Sequence, residues 1–244
     1  IESYDTTTVR ASTGNYLVSK YISKNSQAKV IFNGDGSDEV TGGYLYFHKA
    51  PSPDEFDKEC RRLLKDIHTF DVLRSDKSVS SNGLEPRTPF LDKEFVDMYM
   101  SIPLKFRYHA GRNQCEKYLL RKAFEAENLL PHEVLWRTKE AFSDGVSKAT
   151  RSWYEVIEQK VTNMDLSYNS MRDIYTVNTP TTVEQFYFRS LFEMYYENLG
   201  YLIPYFWMPR FINAKDSSAR TLDIYSNIIN GSSKKKSIEQ SSAL

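Results

Sequence analysis

Apolar residues recur along the chain in two registers. Between Ser12 and Lys24, Tyr16, Leu17 and Tyr21 fall at helical spacing and predict a helix. Phe56, Cys60, Leu63, Leu64 and Ile67 repeat at four, three, one and three residues, with Asp57, Lys58, Arg61, Arg62 and Lys65 left on the wet face. That second helix carries a start signal, Ser52-Pro53-Asp54-Glu55, with an N-cap serine, a first-turn proline and two early acids. Between the two, Val30-Ile31-Phe32 is a short apolar run stopped by glycines, which predicts a buried strand. Ile1 to Ala11 is rich in Thr and β-branched residues and suits a strand edge or a hydroxyl-lined loop. The order is therefore α/β.

Farther along, 112–127 reads as helical and Pro131 starts another short piece. From Trp153 to Asn198, helices are separated by Asn178-Thr179-Pro180. Thr182 is the expected cap, and Val183, Phe186, Leu191 and Tyr195 form the expected apolar face. From Asn227 the composition shifts to Asn, Gly, Ser and Lys234-Lys235-Lys236, which predicts a disordered tail over 227–244. The expected layout is one ordered unit, 1–226, with strands in 1–110 and mainly helices in 111–226.

The charge balance narrows the function. Lys+Arg 32 against Asp+Glu 32 gives no overall field for nucleic acid or an anionic membrane, so any polyanion site must be local. No apolar run approaches the roughly 18 residues of a membrane span, and no leader pattern opens the chain, so a cytoplasmic protein is expected. Cys60 and Cys115 make no disulfide framework and share no metal-ligand spacing with the four histidines, which argues against zinc. Cys60, on the apolar stripe of its helix, is expected to be a small core residue. A start at Ile1, inside an already polar segment, reads as the downstream part of something longer.

The stretch richest in chemistry is Val30 to Gly43, VIFNGDGSDEVTGG. Gly34 and Gly36 end the strand, and Asp35, Asp38 and Glu39 follow at once, where ligands of open α/β sheets collect. An acidic turn repels a nucleotide's phosphates unless a hard cation lies between them, and Mg²⁺ is the ion that binds through one or two carboxylates plus phosphate oxygens. No Lys-Ser/Thr pair makes it a Walker loop, Glu39 stands at the third glycine of a dinucleotide fingerprint, and Asp38 stands where a calcium loop needs glycine. Taken alone, the motif is explained equally well as a solvated Gly/Asp turn.

Two further stretches hold candidates. Asn82 to Asp92, NGLEPRTPFLD, is stiffened by Pro86 and Pro89 and carries Glu85 and Arg87, which can meet a zwitterionic ligand. A surface ion pair is the simpler account. Lys139, in WRTKEAFSDG, offers a mobile point charge to a phosphate, although most such lysines are only solvated.

Together these stretches resemble the synthetase domain of glutamine-hydrolysing asparagine synthetases. The resemblance rests on seven collinear segments: DTTTVRAS (5–12), GDGSDE (34–39), GGYLYFHKAPSP (42–53), GLEPRTPFLD (83–92), WRTKEAFSDG (136–145), NTPTT (178–182) and WMPRFINAKDSSART (207–221). It implies the C-terminal part of an ATP-pyrophosphatase-type domain, parallel strands followed by a mostly helical region. It also implies a two-step reaction: ATP adenylates the aspartate side chain, and ammonia, derived from glutamine in an N-terminal glutaminase domain, attacks β-aspartyl-AMP. ATP and Mg²⁺ are thereby implied, and a homodimer is compatible with it.

By the same resemblance, Asp35 and Asp38 hold Mg²⁺ on the pyrophosphate, with Gly34, Gly36 and Glu39 completing the nucleotide turn. Thr7, Thr8 and Arg10 line the aspartate and phosphate end, and Lys139, with Arg10, serves catalysis. Glu85 and Arg87 lie on the amino-acid side. Asp35 departs from the family's usual Glu and reaches one methylene less, and the family's Ser-Gly-Gly-x-Asp-Ser pyrophosphate loop has no counterpart in these residues. If the early strands are absent, Val30 to Phe32 should expose an apolar edge and face. Two alternatives stay open: a β-lactam or peptide-cyclising synthetase, against which HKAP and SARTL argue, and a non-catalytic chain that associates with a complete synthetase.

Overall fold

The computed structural model describes residues 1–225 apart from 113, 149–150, 165–167 and 224, so the expected tail at 227–244 lies outside the described residues. Among the described residues the helices and strands follow in the order α1 (Thr6–Asn25), β1 (Val30–Phe32), α2 (Ser37–Thr41), α3 (Pro53–Asp66), α4 (Asp71–Ser80), β2 (Glu85–Arg87), α5 (Lys93–Ser101), α6 (Leu104–Arg107), α7 (Tyr118–Glu125), α8 (His132–Leu135), α9 (Phe142–Gly145), α10 (Trp153–Thr162), α11 (Tyr168–Met171) and α12 (Val183–Tyr195). Short 3-10 turns join several of them. The class is mixed α/β, mostly helical, with one small parallel sheet.

The first segment differs from its expected extended form, because helix α1 starts at Thr6. Asp5 is its N-cap: Oδ2 accepts from the Thr8 backbone at 2.8 Å and from the Thr8 hydroxyl at 2.7 Å. Its Oδ1 accepts from the backbone N–H of Trp207 at 2.7 Å, which pins the start of the helix to a distant segment. A buried cap with three donors outweighs the modest helix propensity of Thr and Val. The cap of α3 follows the expected pattern, with Ser52 accepting from Glu55 N at 3.2 Å and Pro53 in the first turn.

The core gathers around the 3-10 turn Leu45–Lys49, with Leu45, Tyr46 and Phe47 packed on Phe56, Cys60 and Leu63 of α3. Trp207 and Leu222, far along the chain, join the same cluster. Cys60 is wholly buried, and burial pushes its thiol well up, so it packs as a small apolar group.

The sheet has two strands, in parallel register Val30↔Glu85, Ile31↔Pro86 and Phe32↔Arg87. Val30 is 47% exposed and Phe32 79%, so the apolar run is not the buried strand that its composition suggests. A two-stranded sheet leaves free edges, and these two side chains lie open to solvent, the apolar exposure expected for this strand. Leu17 and Tyr21 of α1 add further exposed apolar surface. On α12 only Phe186 of the expected face is buried: Leu191 and Tyr195 are exposed, whereas Glu184, Gln185 and Arg189 are buried with Phe192. The helix turns a charged face inward because α1 presents Arg10 to it. The predicted helix at 112–127 is shorter than expected, running only over Tyr118–Glu125.

Candidate functional site

β1 delivers the chain to a turn in which Gly36 has φ 88°, a left-handed value that glycine adopts without strain. Asn33 sets the turn: its Oδ1 accepts from Asp35 N at 3.2 Å, and its amide nitrogen donates to Ser75 Oγ of α4 at 2.6 Å. The turn opens α2, so Asp38 and Glu39 fall in that helix's first turn. A cavity of about 230 Å³ lies beside it. Its walls include Thr7, Thr8 and Arg10 of α1, Gly34 to Glu39 apart from Ser37, Asp71 and Arg74 of α4, Tyr44, Lys139, Asp144, Tyr154 and Trp207.

The acidic turn and Lys139 meet there. Lys139 Nζ lies 3.0 Å from Asp38 Oδ2 and 5.6 Å from the centre of the Tyr44 ring. Lys117 approaches the other oxygen, with Nζ 2.9 Å from Asp38 Oδ1 and donating to Ser37 Oγ at 2.8 Å. Gly43 makes this approach possible, since a Cβ there would overlap Asp38 Oδ1 and lie 2.6 Å from Lys117 Cε. Burial pushes the Asp38 carboxyl upward, but Lys139 and then Lys117 outweigh it and hold the group at about 2. Burial likewise opposes the charge on Lys139, and Asp38 raises it nonetheless.

A second charged set adjoins the first. Arg74 Nη2 lies 2.9 Å from Asp71 Oδ1 and 3.4 Å from Asp35 Oδ1. Glu39 accepts a hydrogen bond from the Tyr44 hydroxyl; burial, then Asp71 and Asp38, raise its carboxyl well above the usual range. Around it, Asp35, Asp38 and Asp71 face Arg74, Lys117 and Lys139. Among the described residues, Asp35 Oδ2, Thr7 Oγ1 and Arg74 Nε at this cavity are buried without a hydrogen-bond partner, as is Asp38 Oδ1 apart from its ion pair with Lys117. Unpaired buried polar atoms are costly, and here they are available to a ligand. Among the described residues no three acids, histidines or cysteines form a metal cage. The donor set, one uncapped carboxylate oxygen beside a second acid, fits a Mg²⁺ that takes its remaining ligands from phosphate and water.

The other expected residues are disposed differently. Thr8 lines the cavity, but its hydroxyl serves the Asp5 cap. Arg10 reaches the wall with its guanidinium committed: it pairs with Glu184 through Nε (2.8 Å) and Nη2, with Asp216 through Nη1 (2.7 Å) and Nη2 (2.9 Å), and lies 5.5 Å from the centre of the Tyr154 ring. It ties α12 and the Asp216 turn to α1. Glu85 and Arg87 are not among the residues lining the cavity; they sit on one face of β2, more than half exposed, and pair with each other at 2.5 Å. That is the surface ion pair. Lys117, Asp71 and Arg74 were not marked by any motif. The one available signal was the i, i+3 spacing of Asp71 and Arg74, which also describes countless surface pairs.

The sequence model of the asparagine synthase family matches residues 1–54 and 49–197. The chain belongs to the asparagine synthase family. It is 49% identical over 231 residues to a glutamine-hydrolysing asparagine synthetase of Gallus gallus, a match that covers 94% of this chain and 41% of that one. For the Bos taurus enzyme the identity is 48% over 227 residues, covering 92% and 40%. For that of Homo sapiens it is 47% over 231 residues, covering 94% and 41%. This asparagine synthase family chain thus spans about two-fifths of the length of the curated relatives that it matches. No helix among its described residues is long and apolar enough to cross a membrane.

Proposed function

We propose that this chain is the aspartate-adenylating part of a glutamine-dependent asparagine synthetase, with an ATP-pyrophosphatase-type fold. In this reading ATP and aspartate react in the cavity to give β-aspartyl-AMP and pyrophosphate. Ammonia released from glutamine in a glutaminase domain then displaces AMP to give asparagine. The carrying observation is the convergence of Lys139 on Asp38 at 3.0 Å, from distant parts of the sequence, beside a cavity whose walls hold the unpaired Asp35 Oδ2 and Thr7 Oγ1.

The residues divide the work by charge. Lys139 and Lys117 are cations poised for phosphate oxygens, with Asp38 as their counter-ion until the nucleotide arrives. Lys139 then holds negative charge that grows as the α-phosphorus is attacked, and a positioned cation in a dry site is effective there. Asp35, through its free Oδ2, and Asp38 would hold Mg²⁺, which supplies charge neutralisation of the departing pyrophosphate. Arg74 pairs with Asp35 and Asp71 and holds both carboxylates in place. Thr7 offers its unpaired hydroxyl to the substrate, while Arg10 acts by holding the wall.

The test is ATP–pyrophosphate exchange by the chain, with aspartate compared against other carboxylic acids, together with calorimetric titration of Mg·ATP. Exchange with aspartate that is lost in Lys139→Ala supports the reading; no binding of Mg·ATP by folded protein sinks it. The exposed Val30 and Phe32 favour a second reading, a chain that works by association with another synthetase polypeptide. Co-purification with a full-length synthetase that is indifferent to Lys139→Ala is the outcome that selects it.

A further inference from the structure

Lys139 sits in an irregular segment between α8 and α9, so no helix or strand fixes its main chain. Its backbone N–H donates to Glu116 Oε2 at 3.3 Å. Glu116 is nearly fully buried, and its other oxygen lies 2.6 Å from His48 Nε2. His48 follows Leu45, Tyr46 and Phe47 in the same 3-10 turn, so this carboxylate is anchored on the centre of the core. The His109 ring, 5.0 Å from that of His48, is fixed in turn by donating from Nε2 to Gly42 O at 2.9 Å. Lys117, the second cation on Asp38, is covalently next to Glu116 and takes φ 59°.

We propose that Glu116, held by His48, is a positioning residue: it fixes the backbone from which Lys139 reaches Asp38 and the phosphates. This rests on the functional reading given above, and it adds a residue pair that touches neither nucleotide nor metal. A buried carboxylate has to be paired to be tolerated, and here both oxygens are used, one toward the core and one toward the site. A loop lysine left to itself samples many rotamers; fixing its backbone at the cavity wall reduces the freedom lost when it binds phosphate.

The experiment uses the full chain as wild type, Glu116→Gln, His48→Gln, Lys139→Ala and Glu116→Gln/Lys139→Ala. Amide hydrogen exchange at Lys139 is read by NMR and Mg·ATP binding by calorimetry. Glu116→Gln is expected to speed exchange of the Lys139 amide at least about tenfold while leaving the amides of α3 unchanged, and to weaken Mg·ATP binding about tenfold, the size of one charge-assisted hydrogen bond. His48→Gln should do the same to a smaller extent, about threefold, because the carboxylate stays but loses its anchor. In the Lys139→Ala background, Glu116→Gln should cost nothing more. Unchanged exchange at Lys139, a rise shared by the amides of α3, or a full additional loss of affinity in the double variant each overturns the proposal. Absence of Mg·ATP binding by the wild type defeats the reading of the cavity instead, and the exchange rates then judge the tether separately.

Discussion

Replacing Asp38 with Asn removes the counter-ion shared by two part-buried lysines while keeping the shape of the side chain. The contacts at 2.9 Å and 3.0 Å are each worth about 5 kcal/mol gross at an effective dielectric near 20, before desolvation and lysine–lysine repulsion are subtracted. The displacement of the carboxyl from 3.8 to about 2 corresponds to roughly 2 kcal/mol of net stabilisation, present above pH 4 and lost as pH falls toward 2. Breaking a buried pair while leaving its partner charged costs about 3–5 kcal/mol. Both lysine side chains retain some solvent contact, so about 3 kcal/mol is expected for Asp38→Asn. Urea unfolding followed by tryptophan fluorescence measures it, since Trp153 and Trp207 line the same cavity. Adding Lys139→Met should restore at least about 1 kcal/mol by removing one stranded ammonium. Inorganic pyrophosphate should stabilise Asp38→Asn more than wild type, because it supplies the missing negative charge. A loss below about 1 kcal/mol, or a double variant no more stable than Asp38→Asn, would refute the idea that the lysines depend on this carboxylate.

Four other outcomes are expected. Thr7→Val should leave the unfolding midpoint in place and weaken substrate binding about threefold to tenfold, because the hydroxyl has no hydrogen-bond partner among the described residues; calorimetry with Mg·ATP and aspartate reads it. Gly43→Ala should destabilise by about 2 kcal/mol through overlap with Asp38 and Lys117, and a midpoint equal to wild type in urea would contradict the packing described. Burial lowers the His109 imidazole from 6.5 to about 4, so its contribution is full above pH 6.5 and falls by about 3 kcal/mol as pH drops toward 4. Burial holds Asp5 up at about 6 and works in the opposite sense over that window, so the measurement is the difference between wild type and His109→Gln across pH 4 to 7, which should fall by about 3 kcal/mol toward the acid end. Phe32→Lys should reduce aggregation in light scattering without loss of stability, since that ring is 79% exposed; unchanged aggregation would show that the strand face is not the adhesive surface.

Local rules in the sequence determined much of the chain. The cap and stripe of α3, the glycines that end β1, the Thr182 cap of α12 and the acidic turn follow from interactions spanning a few residues, and a few residues suffice to read them. The seven matching segments also fixed the family, which the comparison bears out. Tertiary structure alone decided the rest. Asp5 begins a helix in a Thr-rich stretch because its carboxylate also holds Trp207, a contact 202 residues away in sequence. Arg10, which the resemblance puts at the aspartate and phosphate end, is held by Glu184 and Asp216 from the far end of the chain, and Glu85 and Arg87 lie on the surface because β2 turns both outward. Lys117 and Arg74 carry no motif, since a charge becomes part of a site only when folding places its partner within about 3 Å and removes the water between them. Spacing along a chain records which residues share a helix face or a turn; it does not record which distant carboxylate will meet them.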